Sequence, residues 1–278
     1  MNTINRVWDT VAAGFVFWVT GEPDPTGAAY PGPGTFGAQT SDYCVLRDGQ
    51  QQPPLEGRLH DRNPTPVFLA QLNGNRDATV GGNLTIGTGT EQYGRGHTSI
   101  TRAAFFDGAT DFRSATPAAA LTGDVSYEMI VQPSVYQTVA AILFAYQTSG
   151  ETEPTNALWS IALEGGTNRL LYIHEYGPGN NELSFFEEVL EPGAWYHLAV
   201  TRDATANDVI VYVNGRAVGT FNYTNDATGG GSASVRIGGV TPNFFEGYLS
   251  TCKVVAGVLT PAQVMRNAKL TLPIAVRP

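Results

Sequence analysis

The chain has 278 residues, which suffices for one large all-β domain or two smaller domains. Only 15% of the residues are charged, whereas 32 glycines and 17 prolines are present, a composition typical of short strands joined by turns. A formal net charge of −9 without any cluster of Lys and Arg argues against nucleic-acid binding, and no apolar run is long enough to span a bilayer.

The first predicted strand is the apolar run of residues 11–19, in which both faces of the strand would be apolar. Nine of the 17 residues in segment 21–37 are Gly or Pro, a composition that forms neither a helix nor a strand ladder. We therefore predict an extended N-terminal arm. The alternative interpretation is a secretory signal peptide, with Arg6 upstream of the run. A single basic residue, together with Asp9 beside the run, counts against that alternative.

The main domain is predicted to begin near residue 66, after a short strand over residues 42–47. From there, β-rich runs alternate with turn signals, as expected for a sandwich or a closed barrel. The predicted strands are residues 67–72, 83–87, 103–107, 126–133, 139–147, 158–165, 169–176 and 183–190.

A three-stranded meander is predicted between Trp195 and Phe221. Its last two strands are joined by Asn214-Gly215, the dipeptide most typical of a type I′ hairpin turn. The one predicted helix starts after Thr260 and runs to about Ala268. Thr260 would be its N-cap, followed by proline at the first helical position and a capping-box glutamine at the third.

These patterns predict an all-β fold, either a sandwich or a closed barrel, with one short C-terminal helix and an extended N-terminal arm. We assign residues 1–65 to the strand and arm, 66–273 to the main β domain and 274–278 to a C-terminal tail. Two cysteines, Cys44 and Cys252, cannot build a disulfide framework, and Cys252 lies in a strand pattern as a buried thiol would. We expect a chain made in a reducing cytoplasm.

The chain resembles the laminin-G/pentraxin branch of the concanavalin A-like sandwiches in the order and spacing of several of these segments. The matching segments, in family order, are AAFFDGATDF (103–112), SYEMIVQP (126–133), PGAWYHLAVTRD (192–203), VYVNGRAVG (211–219), SVRIGG (234–239) and FFEGYLSTCKVVAGVLTPAQV (244–264). The resemblance covers about residues 67–272. It implies a two-sheet antiparallel jelly-roll sandwich that is used mostly for carbohydrate or protein recognition, with a calcium ion in the rim loops of some relatives. Residues 66–273 would then form this sandwich. The first 60 or so residues have no counterpart in it.

Nothing in the sequence supports catalysis. The laminarinase-type glucanases of this fold resemble one another in a strand bearing Glu-x-Asp-x-(x)-Glu, which places two carboxylates in one cleft. The nearest candidate pair here is Glu187 and Glu191, but the central Asp is absent. The four histidines have no metal-ligand spacing, and we expect His197 to be a buried structural residue. These histidines are His60, His97, His174 and His197. We predict a protein that is not an enzyme and has no required cofactor.

Calcium binding stays open as an alternative, because carboxylates lie near predicted loop ends and Ca²⁺ prefers oxygen ligands. Asp107 and Asp111 are the leading candidates, with Asp124, Asp203 and Asp208 behind them. For a sugar ligand we expect an aromatic ring with neighbouring amides in loop-like stretches, and ordinary loop residues are the competing interpretation. The candidates are Tyr176, Asn180, Asn181, Asn243 and Phe244.

The N-terminal arm decides between two kinds of binding protein. A Gly/Pro-rich segment cannot bury enough surface to become ordered alone, so we expect it to be tied to other chains. The residues expected in such contacts are Trp8, Phe15, Phe17, Trp18 and Tyr30. This favours a bacteriophage virion protein, namely a capsid decoration or cement protein. Such a protein would bind copies of itself or the major capsid protein, and its sandwich would bind host glycans. The alternative is a secreted bacterial lectin module or adhesin, located outside the cell.

Overall fold

The computed structural model describes residues 4–9, 14–19, 66–72, 80–86, 92–96, 102–118, 121, 123–148, 157–177, 180–226 and 233–271. Its internal contacts divide the chain into two units, Met1–Pro54 and Leu55–Pro278. Several predictions lie outside the described residues: the arm at 21–37 with Tyr30, the strand at 42–47, Cys44, His60, His97 and the tail at 274–278.

In the first unit, the structure describes an antiparallel hairpin of β1 (Ile4–Asp9) and β2 (Gly14–Val19). The register places Trp8 opposite Phe15. The strand predicted over residues 11–19 is thus confirmed from Gly14 onwards. Its partner β1 was not predicted, because its sequence INRVWD mixes charged and apolar residues and carries no turn signal before it.

The second unit contains seventeen described strands and one helix. The first strands are β3 (Pro66–Gln71), β4 (Thr85–Ile86), β5 (Gln92–Arg95), β6 (Arg102–Asp107), β7 (Arg113–Ala115), β8 (Val125–Pro133), β9 (Ala141–Thr148), β10 (Ala157–Leu163) and β11 (Arg169–Gly177). They are followed by β12 (Asn180–Val189), β13 (Tyr196–Asp203), β14 (Asp208–Val213), β15 (Arg216–Asn222), β16 (Ala233–Ile237), β17 (Gly239–Val240), β18 (Asn243–Phe244), β19 (Glu246–Ala256) and α1 (Pro261–Thr271).

Two large antiparallel sheets form a sandwich. One has seven strands in the order β12-β11-β10-β9-β16-β7-β4. The other has eight, in the order β15-β14-β13-β8-β19-β6-β5, and β3 also pairs with β19. The predicted all-β, two-sheet jelly-roll class with one C-terminal helix is confirmed.

The core lies between the two sheets and is rich in aromatic rings. The ring of Trp159 stacks on Tyr127 from the opposite sheet, with centroids 4.8 Å apart, and on Phe144 at 5.4 Å. All three side chains are almost completely buried. Side chains alternate between the two faces of a strand, so the residues between these core positions point away from the sandwich interior.

The hairpin at Asn214-Gly215 is confirmed. Asn214 has φ 52° and Gly215 has φ 82°, the two positive values that a type I′ turn requires. The turn lies against helix α1, because a Cβ on Gly215 would come within 2.9 Å of the Met265 Cα. The side chain of Asn214 adds a contact of its own, since its Oδ1 accepts a hydrogen bond from the backbone N–H of His197 at 3.0 Å.

Helix α1 begins with the predicted capping box. The Gln263 N–H donates to Thr260 Oγ1 at 3.3 Å, and the Thr260 N–H donates to Gln263 Oε1 at 2.8 Å. The helix continues to Thr271, about one turn beyond the predicted end. The longer helix has a tertiary cause, because Asn267 and Thr271 in its last turns are buried against the eight-stranded sheet.

Beneath α1, on the outer face of the eight-stranded sheet, lies a buried charge cluster of Glu128, His197, Lys253 and Asn267. Glu128 accepts from Lys253 Nζ at 3.0 Å and from the Asn267 amide at 2.9 Å, and His197 Nε2 lies 3.3 Å from its carboxylate. Burial favours a higher pKa for Glu128, but the interactions with His197, Lys253 and Asn267 outweigh it and lower the pKa to about 2. These interactions link helix α1 to the eight-stranded sheet.

Candidate functional site

The candidate site lies on the outer face of the seven-stranded sheet, at its β12 edge. In β12, Phe186 points into the core, so its neighbours at alternate positions point outward. Pairing with β11 places Leu183 opposite Ile173 and Phe185 opposite Leu171. We call the outward residues Asn181, Leu183, Phe185 and Glu187, together with Arg169 of β11, the β12 platform.

Two large apolar side chains of this platform are exposed to solvent. Leu183 is 50% exposed and Phe185 is 43% exposed, whereas their partners Leu171 and Ile173 are buried. The Arg169 guanidinium lies over the Phe185 ring, 5.1 Å from its centroid, as in a cation–π contact. The ring is therefore held in place while much of its surface stays accessible.

Carboxylates surround Arg169. Its Nε lies 2.8 Å from Glu164 Oε2, and its NH1 lies 3.6 Å from Glu187 Oε1. The hydrogen bond from Arg169 lowers the pKa of Glu164, and the same bond raises the pKa of Arg169. The guanidinium thus interacts with two carboxylates of its own chain.

One predicted ligand residue, Asn181, belongs to the platform. It pairs with Glu175 of β11, and its Oδ1 atom is buried without a hydrogen-bond donor. A buried acceptor without a donor is unfavourable, so a hydroxyl group that reached this position would stabilise it. Tyr176 and Asn180 lie next to it at the end of the β11–β12 hairpin, where Tyr176 is half-buried and Asn180 is exposed.

The other predicted pair, Asn243 and Phe244, lies on the small β17–β18 hairpin. Both residues are half-buried. Val240 of this hairpin packs in one cluster with Ile142, Ala145, Ala162, Leu171 and Ile173, the outward apolar residues of the seven-stranded sheet. The hairpin therefore covers part of the same sheet face, including Leu171 and Ile173, the β11 partners of the platform residues.

The platform residues Leu183, Phe185 and Arg169 were not predicted as ligand residues. The sequence feature that could have identified them is the segment LSFFEEV. Side chains alternate between the two faces of a strand, so one of its two phenylalanines must point away from the core. The sequence does not reveal which of the two does so. The structure shows that Phe186 is buried and Phe185 is not.

The leading calcium candidates, Asp107 and Asp111, lie in one loop after β6. Asp107 Oδ1 accepts from the backbone N–H groups of Ala109, Thr110 and Asp111 at 2.9, 2.9 and 3.1 Å. Burial favours a higher pKa for Asp107, but these hydrogen bonds lower it, whereas burial and the Asp107 charge raise the pKa of Asp111. Asp111 is buried and both its carboxylate oxygens lack partners. Within the described segments, no three His, Cys, Asp or Glu side chains form a group that could hold a metal ion.

The other three aspartates do not gather at one point. Asp124 accepts from the Ala204 N–H at 2.9 Å, and Asp203 Oδ1 accepts from the N–H groups of Thr205 and Ala206. Burial and the charge of Asp203 raise the pKa of Asp208. Asp124 and Asp203 thus act as caps of backbone turns.

Glu187 and Glu191, the weak glucanase candidates, have separate partners. Glu187 is paired with Arg169 and its side chain is 91% exposed, so no cleft encloses it. Glu191 accepts a hydrogen bond from the Tyr136 hydroxyl. The arrangement offers no enclosed pair of carboxylates at these positions.

The two described histidines are buried. His174 Nε2 lies 2.8 Å from the carbonyl oxygen of Asn225, and His197 belongs to the buried charge cluster. A cavity of about 20 Å³ lies beside that cluster, large enough for one water molecule and too small for a sugar. In the described part of the chain, no helix has the length and apolar character needed to cross a membrane.

Solved structures with a similar fold include one domain of an enzyme and the binding domains of several toxins. Domain 4 of AbnA, a GH43 extracellular arabinanase from Geobacillus stearothermophilus solved in complex with arabinotriose, is 22% identical, with a TM-score of 0.59 over 75% of this chain and 100% of that domain. The binding domain of Paraclostridial Mosquitocidal Protein 1 is 12% identical, with a TM-score of 0.56 over 73% of this chain and 51% of that domain. The binding domain of botulinum neurotoxin serotype D is 13% identical, with a TM-score of 0.57 over 73% and 51%.

This chain thus spans about half the length of the toxin binding domains and the whole length of the arabinanase domain. At these identities the likeness shows a shared fold. No curated protein matches the chain. The Laminin_G_3 family model, described as the concanavalin A-like lectin/glucanases superfamily, matches residues 106–265, more than half of the chain. The chain therefore belongs to the Laminin_G_3 family of concanavalin A-like proteins.

Proposed function

We propose that this protein is a non-enzymatic, lectin-like binding protein that holds a glycan on the β12 platform. The observation that carries the proposal is the exposed Phe185 ring, which contacts the Arg169 guanidinium on the outer face of the sheet and is bordered by polar groups. Leu183 lies beside this ring on the same strand face and is also exposed, so the two side chains form a small apolar surface that a ligand can cover.

The chemistry of the platform suits a sugar. A sugar ring has an apolar C–H face, which can stack on an aromatic ring, and hydroxyl groups around its edge. Asn181 and Glu187 flank the two apolar residues on the same strand face and can bond those hydroxyls. Leu183 and Phe185 are two residues apart, about 7 Å along the strand, a span that one or two sugar rings can cover.

The arabinanase domain supports a carbohydrate ligand by analogy. It shares the fold over its whole length, and its structure contains arabinotriose. The analogy concerns the class of ligand and does not transfer any of its residues to this chain.

The proposal of a binding protein without catalysis rests on the carboxylates. Glycoside hydrolysis needs two carboxyl groups facing each other across the scissile bond, one of them acting as an acid. On the platform, Glu164 and Glu187 both bind Arg169, and Arg169 lowers the pKa of Glu164, which opposes a role as an acid.

The finer proposal is a bacteriophage virion protein, with the sandwich displayed on a capsid and the N-terminal unit as its anchor. Two features support it: the first 54 residues form a contact unit of their own, and their hairpin β1–β2 carries Trp8, Phe15, Phe17 and Trp18. The partners would be copies of this chain or the major capsid protein. A secreted lectin or adhesin is the competing assignment.

A polysaccharide screen tests the binding proposal. The whole chain should be retained by at least one immobilised polysaccharide, and Leu183→Ala should weaken that retention. Leu270→Ala is the matched control, because Leu270 is 37% exposed on α1, which packs on the other sheet. Equal retention of the two variants would place the ligand elsewhere.

A deletion tests the anchoring proposal. Without residues 1–60, the chain should remain folded and soluble but should no longer join its assembly. Phe17→Asp combined with Trp18→Asp should weaken assembly in the full chain. An insoluble truncated chain, or one that still assembles, would contradict an anchor in this segment.

A further inference from the structure

The β12 platform carries more negative than positive charge, and this restricts the ligand that it can hold. Among the described platform residues and their ion-pair partners, Arg169 is the one cation, against the carboxylates of Glu164 and Glu187. We propose that the platform selects neutral saccharides and rejects sulfated or uronic-acid glycans. This inference rests on the proposed glycan-binding function.

The positive charge of Arg169 is offset by two carboxylates. Its Nε and NH2 donate to the two oxygens of Glu164 at 2.8 and 3.1 Å, and its NH1 faces Glu187. Two of its five N–H groups are used in this bidentate pair, and a second carboxylate lies beside NH1, so an incoming sulfate or carboxylate would meet a cluster with net negative charge. The same bonds keep Arg169 over the Phe185 ring.

The carboxylate of Glu187 is the exposed acceptor of the platform. An ionised carboxylate accepts hydrogen bonds and donates none. Hydroxyl groups of a neutral sugar can donate to such acceptors. A sulfate or carboxylate group supplies no donor and is repelled, with each like-charge contact near 4 Å weakening binding about fivefold even in water.

Among the residues that the structure describes, the next cation on this sheet face is Arg236, which is too distant to change the balance of charge at the platform. Arg236 lies on β16, four strands from β12, which is about 19 Å at the usual strand spacing and beyond the screening length in physiological salt. It also stacks over Phe112, with 4.6 Å between its guanidinium carbon and the ring centroid.

The size of the exposed surface favours a saccharide over a protein partner. The platform offers two exposed apolar side chains, Leu183 and Phe185. A stable protein interface buries about 800 Å² on each partner, far more than two partly exposed side chains can provide. A short stretch of glycan fits the available area.

Matched neutral and charged polymers test this selectivity. The whole chain should be offered dextran and dextran sulfate, galactan and polygalacturonate, and arabinotriose, in buffers from 20 to about 500 mM salt, a range over which surface charge effects are progressively screened. We expect at least about fivefold weaker binding to the charged member of each pair that binds. The difference should shrink at high salt.

Two variants on opposite faces of β12 separate the platform from the general negative charge of the protein. Glu187→Gln should reduce the difference in affinity between neutral and charged polymers. Glu188→Gln removes the same charge from the other face, where Glu188 lies 3.3 Å from Arg216 of β15, and should leave the difference unchanged. Charged polymers that bind as well as neutral ones, or better, would overturn the selectivity while leaving glycan binding intact. A chain that binds none of these probes and none in the wider screen would overturn both proposals.

Discussion

Lys253 and Glu128 lie directly opposite each other on neighbouring strands, and their side chains form a buried ion pair with 3.0 Å between Nζ and Oε2. The Asn267 amide of α1 donates to the same carboxylate. The Glu128 carboxylate therefore has partners on both the sheet and the helix, and these bonds link α1 to the sandwich.

The first prediction concerns the pH dependence of this pair. The pKa of Glu128 is lowered from 4.5 to about 2 in the folded state, so its contribution to stability is present above pH 4.5 and is lost as the pH falls through about 2. The shift corresponds to about 3 kcal/mol. Chemical unfolding from pH 7 to 2 should show this loss in the wild type.

Glu128→Gln should lower the free energy of unfolding at pH 7 by about 3–5 kcal/mol, because it leaves Lys253 buried without its countercharge. The variant should also lose less stability between pH 4.5 and 2 than the wild type does. Identical pH profiles for the two proteins would mean that Glu128 is not ionised in the folded state.

The second prediction compares two glycines with the same backbone angle. Gly215 and Gly193 have φ 82° and 83°, but only a Cβ at Gly215 would meet other atoms, at 2.9 Å from Met265 Cα and 3.0 Å from Ala268 Cβ. Both alanine variants should lose about 1–3 kcal/mol from backbone strain. Gly215→Ala should lose at least about 1 kcal/mol more, because α1 must shift. Equal losses would show that α1 does not pack on this turn.

The third prediction concerns the reactivity of Cys252. The residue is buried in β19, and burial raises the pKa of its thiol, so little thiolate forms at neutral pH. In a Cys44→Ser background, a thiol reagent should label Cys252 only as fast as the protein unfolds. Rapid labelling of the folded protein would contradict the packing of this strand.

The fourth prediction is the absence of glycosidase activity. Incubation with β-glucans, arabinan and other polysaccharides should release no reducing ends above the blank. If activity is found and either Glu187→Gln or Glu191→Gln abolishes it, the non-enzymatic assignment is wrong.

Local signals in the sequence predicted much of the sandwich. The Asn214-Gly215 turn and the capping box at Thr260 were identified correctly because their geometry depends on neighbouring residues alone. The strands from β8 to β15 were placed within a few residues for the same reason, since alternation and turn residues are local properties.

What could not be predicted depends on strand order. Glu128 and Lys253 are 125 positions apart, and only the pairing of β8 with β19 makes them partners. Leu183, Phe185 and Arg169 of the platform were missed for a similar reason, because the side of β12 that faces the core depends on how the strand packs in the sandwich. The length of α1 likewise followed from tertiary contacts of Asn267.

The most direct test of the account is a calorimetric titration of the best neutral oligosaccharide from the screen into the wild type and into Phe185→Ala. The ring is 43% exposed, so its removal should leave the fold intact, which circular dichroism can verify. We predict that the dissociation constant rises about tenfold or more, as for the loss of an aromatic binding hot spot. Unchanged affinity in a folded Phe185→Ala protein would contradict the assignment of the β12 platform as the glycan site.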